Sequence, residues 1–154
     1  MVPILRKLKT DSINILLVDD DAEDYMIFKN ALSFQVFKTS LERIIDGDML
    51  MQRLHNEDLQ LPDVIFLDVN MPGKNGYDCL LEIRESPRLE NIQVVMYSTS
   101  YHKDVADILF KVGANYYVKK PSYFKDIKKI IEKVLCFVSE NQFYSPVRQN
   151  FVFA

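Results

Sequence analysis

Residues 64–76 read VIFLDVNMPGKNG. Val64, Ile65, Phe66 and Leu67 form an unbroken apolar run, suited to a strand covered on both faces. One carboxylate, Asp68, ends the run, and Pro72, Gly73 and Gly76 turn the chain within a few residues. Ligands in open parallel α/β sheets bind just beyond the carboxyl ends of the strands. An acid at such an end is therefore a candidate for chemistry, provided the rest of the chain builds that kind of sheet.

Outward from this stretch, two types of segment alternate. Ile13 to Val18 (INILLV) is a second continuous apolar strand, followed by Asp19, Asp20 and Asp21. Tyr25, Phe28, Ala31 and Leu32 then recur at helical spacing, with Asp21 placed to cap the helix and Glu23 and Asp24 in its first turn. A weaker, alternating strand runs from about Thr39 to Ile45, and a short helix opens at Gly47 and Asp48. After Pro62 and the quoted strand, a helix runs from Gly76 through Tyr77, Leu80, Leu81 and Ile83, ending before Pro87. Ile92 to Tyr97 is the fourth strand. Val105, Ile108, Leu109 and Val112 mark the fourth helix, with Gly113 as its C-terminal cap. Tyr116 to Val118 is a short fifth strand. The last helix, from Pro121 and Ser122, shows the clearest apolar face: Ile127, Ile130, Ile131, Val134, Leu135 and Val138. Strand and helix alternate five times, which implies a parallel sheet with helices on both faces.

The composition agrees with one such domain. The chain has 154 residues, 48% of them apolar, and a formal net charge of -3. That near-balance gives no global attraction for nucleic acid or an anionic membrane. No apolar run approaches the ~18 residues of a membrane span, and MVPILRKLKT lacks the apolar stretch of a signal peptide. The expected location is cytoplasmic. Cys79 and Cys136 lie in apolar helical contexts without a CxxC pair, and both are expected to be buried thiols. His55 and His102 stand alone in polar helical regions and are expected to be exposed.

Chemistry concentrates after the strands. Asp19 and Asp20 follow the first, Asp68 ends the third, Ser98 and Thr99 end the fourth, and Lys119, Lys120 and Pro121 follow the fifth. Three clustered carboxylates repel one another, and Mg²⁺ is the natural remedy because it takes hard oxygen ligands and keeps several waters. A carboxylate held beside that ion can be a nucleophile towards phosphorus. Lys120 would neutralise a second phosphoryl oxygen, the Ser98 hydroxyl would hydrogen-bond a third, and the loop near Asn70 would offer a backbone carbonyl to the metal.

The ordered set LLVDDD, FLDVNMPGKNG, VVMYSTS and YYVKKP resembles the receiver domain of two-component response regulators, over roughly residues 13 to 138. The resemblance implies a flavodoxin-like doubly wound (βα)5 fold with a five-stranded parallel sheet in the order 2-1-3-4-5. It also implies roles: Asp68 as phosphoacceptor, Asp20 as main acidic Mg²⁺ ligand, Asp19 acting largely through water, and Asn70 as backbone carbonyl ligand. Ser98 takes the switch hydroxyl position, where threonine is more usual, and Tyr117 the aromatic switch position. Lys120 takes the place of the family lysine before a cis bond to Pro121, and alternation along the short strand turns it, rather than Lys119, inward. Asn70 and Ser100 sit where the family tunes hydrolysis. The implied donor is a sensor histidine kinase or a phosphotransfer protein.

On this reading phosphorylation draws Ser98 inward, Tyr117 rotates from exposed to buried, and the surface of the fourth helix, fifth strand and fifth helix carries the signal to a downstream protein. The chain would catalyse only its own phosphorylation and autodephosphorylation. Residues 1–12 form an N-terminal extension, and 139–154 an aromatic-rich tail without an output domain, similar to single-domain regulators of phytochrome-type kinases. That tail, with Phe143, Tyr144, Phe151 and Phe153, either packs back on its own domain or contributes to a homodimer or partner surface. Two other classes compete. A Mg²⁺-dependent aspartyl-nucleophile phosphatase would want a second aspartate two residues after the nucleophile, where this chain has Asn70. An FMN carrier would find its phosphate repelled by the acids.

Overall fold

The computed structural model describes residues 12–140 and 147–153. The elements run β1 (Ile13–Val18), α1 (Ala22–Leu32), β2 (Thr39–Ile44), α2 (Gly47–His55), β3 (Val64–Leu67), α3 (Gly76–Glu85), β4 (Gln93–Ser98), α4 (Lys103–Val112), β5 (Tyr116–Lys119) and α5 (Phe124–Ser139). A 3-10 turn, Arg148–Asn150, then leads to a short strand, β6 (Val152–Phe153). All strands pair in parallel, in the order β2-β1-β3-β4-β5-β6. The expected doubly wound order is thus present, with one strand added at the β5 edge.

Strand alternation divides the core in two. Ile13, Ile15 and Leu17 of β1, with Val64 and Phe66 of β3, face α1 and α5. Leu16, Val18, Ile65 and Leu67 face the other way, onto α2, α3 and α4. Successive side chains on a strand point to opposite faces, so an unbroken apolar run is what a doubly covered strand requires. On the first side Phe28, Phe66 and Tyr97 meet edge to face, with centroids 4.9 to 5.8 Å apart. β2 lies at the sheet edge and alternates between half-buried and exposed residues, which is why its sequence signal is weak.

Local chemistry sets the helix ends. The Asp21 carboxylate accepts from the backbone N–H groups of Glu23 and Asp24, at 2.8 and 3.1 Å. Gly113 closes α4 with a left-handed φ of 117°. Arg84 of α3 donates to the carbonyls of Gly113 (2.8 Å), Glu90 (3.0 Å) and Ile92 (2.9 Å), and to Asn115 Oδ1 (3.0 Å). It ties together the amino ends of β4 and β5.

Some expectations need correction. Cys79 is buried but Cys136 is exposed, on the side of α5 turned away from the sheet. The fourth strand ends at Ser98 rather than Tyr97, and the last helix begins at Phe124 rather than Pro121. The Lys120–Pro121 peptide bond is trans. In the tail Phe151 is fully buried and packs in the core with Tyr117. Burying a phenylalanine side chain is worth roughly 1.5–3 kcal/mol. Phe143 and Tyr144 lie outside the described residues, as does the segment 1–11. No helix among the described residues is long and apolar enough to cross a membrane.

Candidate functional site

The carboxyl ends of β1, β3, β4 and β5 meet at one edge of the sheet. The Asp68 backbone N–H donates to the Val18 carbonyl at 3.1 Å, which sets the end of β3 beside the end of β1. The Lys120 N–H donates to the Ser98 carbonyl at 2.7 Å, which sets the end of β5 beside the end of β4. Gly76 makes the third side possible: a Cβ there would lie 2.4 Å from the Asp68 carbonyl oxygen, so only glycine lets α3 begin this close.

Asp19, Asp20 and Asp68 each offer a carboxylate oxygen, and these oxygens lie within 4.8 Å of one another. Asp19 is buried and Asp20 exposed. Asp19 is held by the Asp21 N–H, which donates to its Oδ1 at 2.9 Å. Asp68 is held by the Asn70 N–H, which donates to its Oδ1 at 3.1 Å. Two unit charges about 4 Å apart repel by roughly 4 kcal/mol at an effective dielectric of ~20. Burial pushes the Asp68 carboxyl above the usual carboxylate range; Lys120 and the Asn70 N–H pull it back, and Asp19 and Asp20 push it further up. A cluster of hard oxygens with this mutual repulsion is the donor set a small divalent cation favours.

Lys120 is the inward lysine, and Lys119 is exposed. The Lys120 ammonium donates to Asp19 Oδ2 at 2.6 Å and Asp24 Oδ2 at 3.0 Å, and lies 3.8 Å from Asp68 Oδ2. Burial works against its charge, but the bonds to Asp19 and Asp24 outweigh this and raise its pKa. The ammonium also sits 5.3 Å from the centroid of the Tyr97 ring.

Ser98 is buried, and its Oγ accepts from the Ser100 N–H at 3.4 Å. Tyr117 does not occupy the exposed position expected for a resting switch. Its ring is buried, its hydroxyl donates to the Ser100 carbonyl at 2.6 Å, and Tyr101 packs edge-on at 5.6 Å. Phe151 of the tail lies on this side of β5, 6.4 Å from the Tyr117 ring between centroids.

Two participants escaped the sequence reading. Asp24 was legible only as a first-turn helix acid, yet it is a partner of Lys120. Arg43 of β2 donates to the carbonyls of Asp19 (3.3 Å) and Asp20 (3.0 Å), bracing the acidic turn. Its alternating edge strand gave no hint of that direction. His55 is exposed as expected but paired, its Nε2 lying 2.7 Å from Glu82.

The family model described as response regulator receiver domain matches residues 15–132. The chain belongs to the response regulator receiver domain family. It is 31% identical over 127 residues to response regulator Rcp1 of Synechocystis sp., covering 80% of this chain and 86% of that one. It is 30% identical over 123 residues to chemotaxis protein CheY1 of Helicobacter pylori, covering 80% of this chain and 97% of that one. Among solved structures, the Mn(2+)-bound form of Rcp1 superposes with a TM-score of 0.75 at 30% identity, over 87% of this chain and 99% of that one. The phosphorylated cyanobacterial phytochrome response regulator RcpA gives 0.77 at 27% identity, over 85% and 96%.

Proposed function

We infer that this chain accepts a phosphoryl group on Asp68 from a sensor histidine kinase, of the phytochrome type, or from a phosphotransfer protein. The observation that carries the reading is the position of Asp68: its carboxylate lies within reach of two further acids and 3.8 Å from a buried ammonium. Two similar structures, one Mn(2+)-bound and one phosphorylated, support it.

Asp19, Asp20, Asp68 and the backbone carbonyl of Asn70 would hold Mg²⁺. Bound there, the ion would offset the repulsion among the acids and the charge of the phosphoryl oxygens. The protein's own groups do the rest. A carboxylate oxygen of Asp68 forms the new O–P bond as the P–N bond of a phosphohistidine breaks, and the imidazole leaves with the bonding pair. Lys120 neutralises one phosphoryl oxygen, and the Ser98 hydroxyl donates to another. The readout surface is α4, β5 and α5, biased through Ser98 and Tyr117 towards a downstream protein. The only reactions catalysed are the chain's own phosphorylation and autodephosphorylation. Residues 13–138 form the receiver unit, and 139–154 a C-terminal tail.

The test is incubation with a small acyl phosphate and Mg²⁺, read by intact mass. The native chain is expected to gain one phosphoryl group, and Asp68→Asn none. A gain that survives Asp68→Asn overturns the assignment.

A further inference from the structure

The segment 148–153 touches every element of the readout surface. From the 3-10 turn, Arg148 Nε donates to Asp107 Oδ1 of α4 at 2.7 Å, and its guanidinium lies 5.7 Å from the centroid of the Phe151 ring. Phe151 is fully buried, with Phe110 of α4 at 5.2 Å and Tyr117 of β5 at 6.4 Å between ring centroids. The Tyr117 N–H donates to the Phe151 carbonyl at 3.0 Å, which starts the parallel pairing of Tyr117 with Val152 and Val118 with Phe153. Phe153 stacks on Tyr116 at 4.8 Å, with the Lys133 ammonium of α5 at 4.6 Å from its centroid.

These contacts have a directional consequence. Tyr117 is the residue whose rotation would carry the signal, and the segment grips it twice: by its backbone N–H and by its ring. For the ring to swing out past Phe151, the plug beside it must give way. We propose that residues 148–153 are a latch in cis, closed by the Arg148–Asp107 pair and the Phe151 plug, which holds Tyr117 inward and covers the α4–β5–α5 face. The latch and the phosphoryl group then favour the same inward state of Tyr117. By linkage each strengthens the other, so a chain with an open latch should retain a phosphoryl group less well.

This inference rests on the phosphoacceptor reading, and the experiment separates the two. The full-length native chain is compared with Arg148→Glu, which repels Asp107 at a half-exposed position and leaves the core intact, and with Phe151→Ala, which empties the plug. Amide exchange is read at the Tyr117 N–H, whose acceptor is in the latch, and at the Lys120 N–H, whose acceptor is Ser98. A closed latch predicts at least ten-fold faster exchange at Tyr117 in Arg148→Glu, with Lys120 unchanged. Equal Tyr117 exchange in the native chain and both variants overturns the latch. Acetyl phosphate with Mg²⁺ is then added, and the phosphorylated fraction read by intact mass. The coupling predicts about a five-fold lower ratio of phosphorylated to free chain in Arg148→Glu. Equal ratios overturn the coupling. A native chain that gains no phosphoryl group overturns the phosphoacceptor reading, while the exchange result still decides whether the latch closes on Tyr117.

Discussion

The Lys120 ammonium is 2.6 Å from Asp19 Oδ2, 3.0 Å from Asp24 Oδ2 and 3.8 Å from Asp68 Oδ2, so both of its hydrogen bonds go to acids other than Asp68, one of them in the first turn of α1. Asp24 thus competes for the cation that a phosphoryl group on Asp68 would need. Replacing Asp24 with Asn keeps the shape and weakens the competitor. The expected outcome is acceptance from a small acyl phosphate that is faster by roughly three- to ten-fold, an effect of about 1 kcal/mol for a partly exposed pair. An intact-mass time course at fixed Mg²⁺ measures it.

Removing the cation altogether has a different effect. Lys120→Ala leaves Asp19 and Asp68 facing each other without a counter-charge. Breaking a buried ion pair from one side typically costs about 3–5 kcal/mol. A loss near the lower end is expected in metal-free buffer, since Asp68 and Asp24 retain some solvent access. Mg²⁺ should recover part of that loss in denaturant melts, while phosphorylation stays abolished.

The three acids predict a stabilising cation. Mg²⁺ at ~100 times its dissociation constant should raise the stability of the native chain by about 2.7 kcal/mol, and chelator should reverse it. Asp20→Asn removes one exposed carboxylate of the three without disturbing the core, so its melting temperature should respond far less to the same Mg²⁺. Equal responses in the two proteins would count against Asp20 as a ligand.

Gly76→Ala tests the close approach of α3 to the site. The added methyl would meet the Asp68 carbonyl at 2.4 Å, against backbone rather than a yielding side chain. Overpacking of this kind costs about 1–3 kcal/mol. Both the melting temperature and the rate of phosphoryl acceptance should fall, because the atom displaced belongs to Asp68 itself.

The thiols predict a pH dependence. Burial pushes Cys79 from 9.0 up to about 12. Between those values the unfolded thiol ionises and the folded one does not. Its contribution to stability is therefore complete below pH ~9 and is lost as pH climbs through the window. At pH 8, iodoacetamide should label Cys136, which is exposed, and spare Cys79 in the native chain. Cys79→Ala should flatten the alkaline fall in stability.

Sequence periodicity sufficed for the sheet because β3 is wholly apolar, β1 and β4 are predominantly so, and the helices between them carry caps that can be read one residue at a time. Asp21 and Gly113 do at their helix ends what their residue types suggest. The convergence of Asp19, Asp20, Asp68, Ser98 and Lys120 was legible too, since parallel topology alone brings the strand ends together. What stayed hidden depends on side-chain direction across long separations. Asp24 faces Lys120 rather than solvent, and Arg43 reaches back over the acidic turn. β6 was hidden for another reason: two residues, Val152 and Phe153, carry no periodicity, and only the unpaired edge of β5 gives them a place.

Arg84 bonds the Gly113, Glu90 and Ile92 carbonyls and the Asn115 side chain, all at the end of the sheet remote from the acids. One planar cation there rivets two strand starts and a helix terminus, a job the single ammonium of lysine cannot do with the same fork of donors. The starts of β4 and β5 are thereby tied to the end of α4 by one side chain, so a change at the acidic end acts on strands already pinned at their other end.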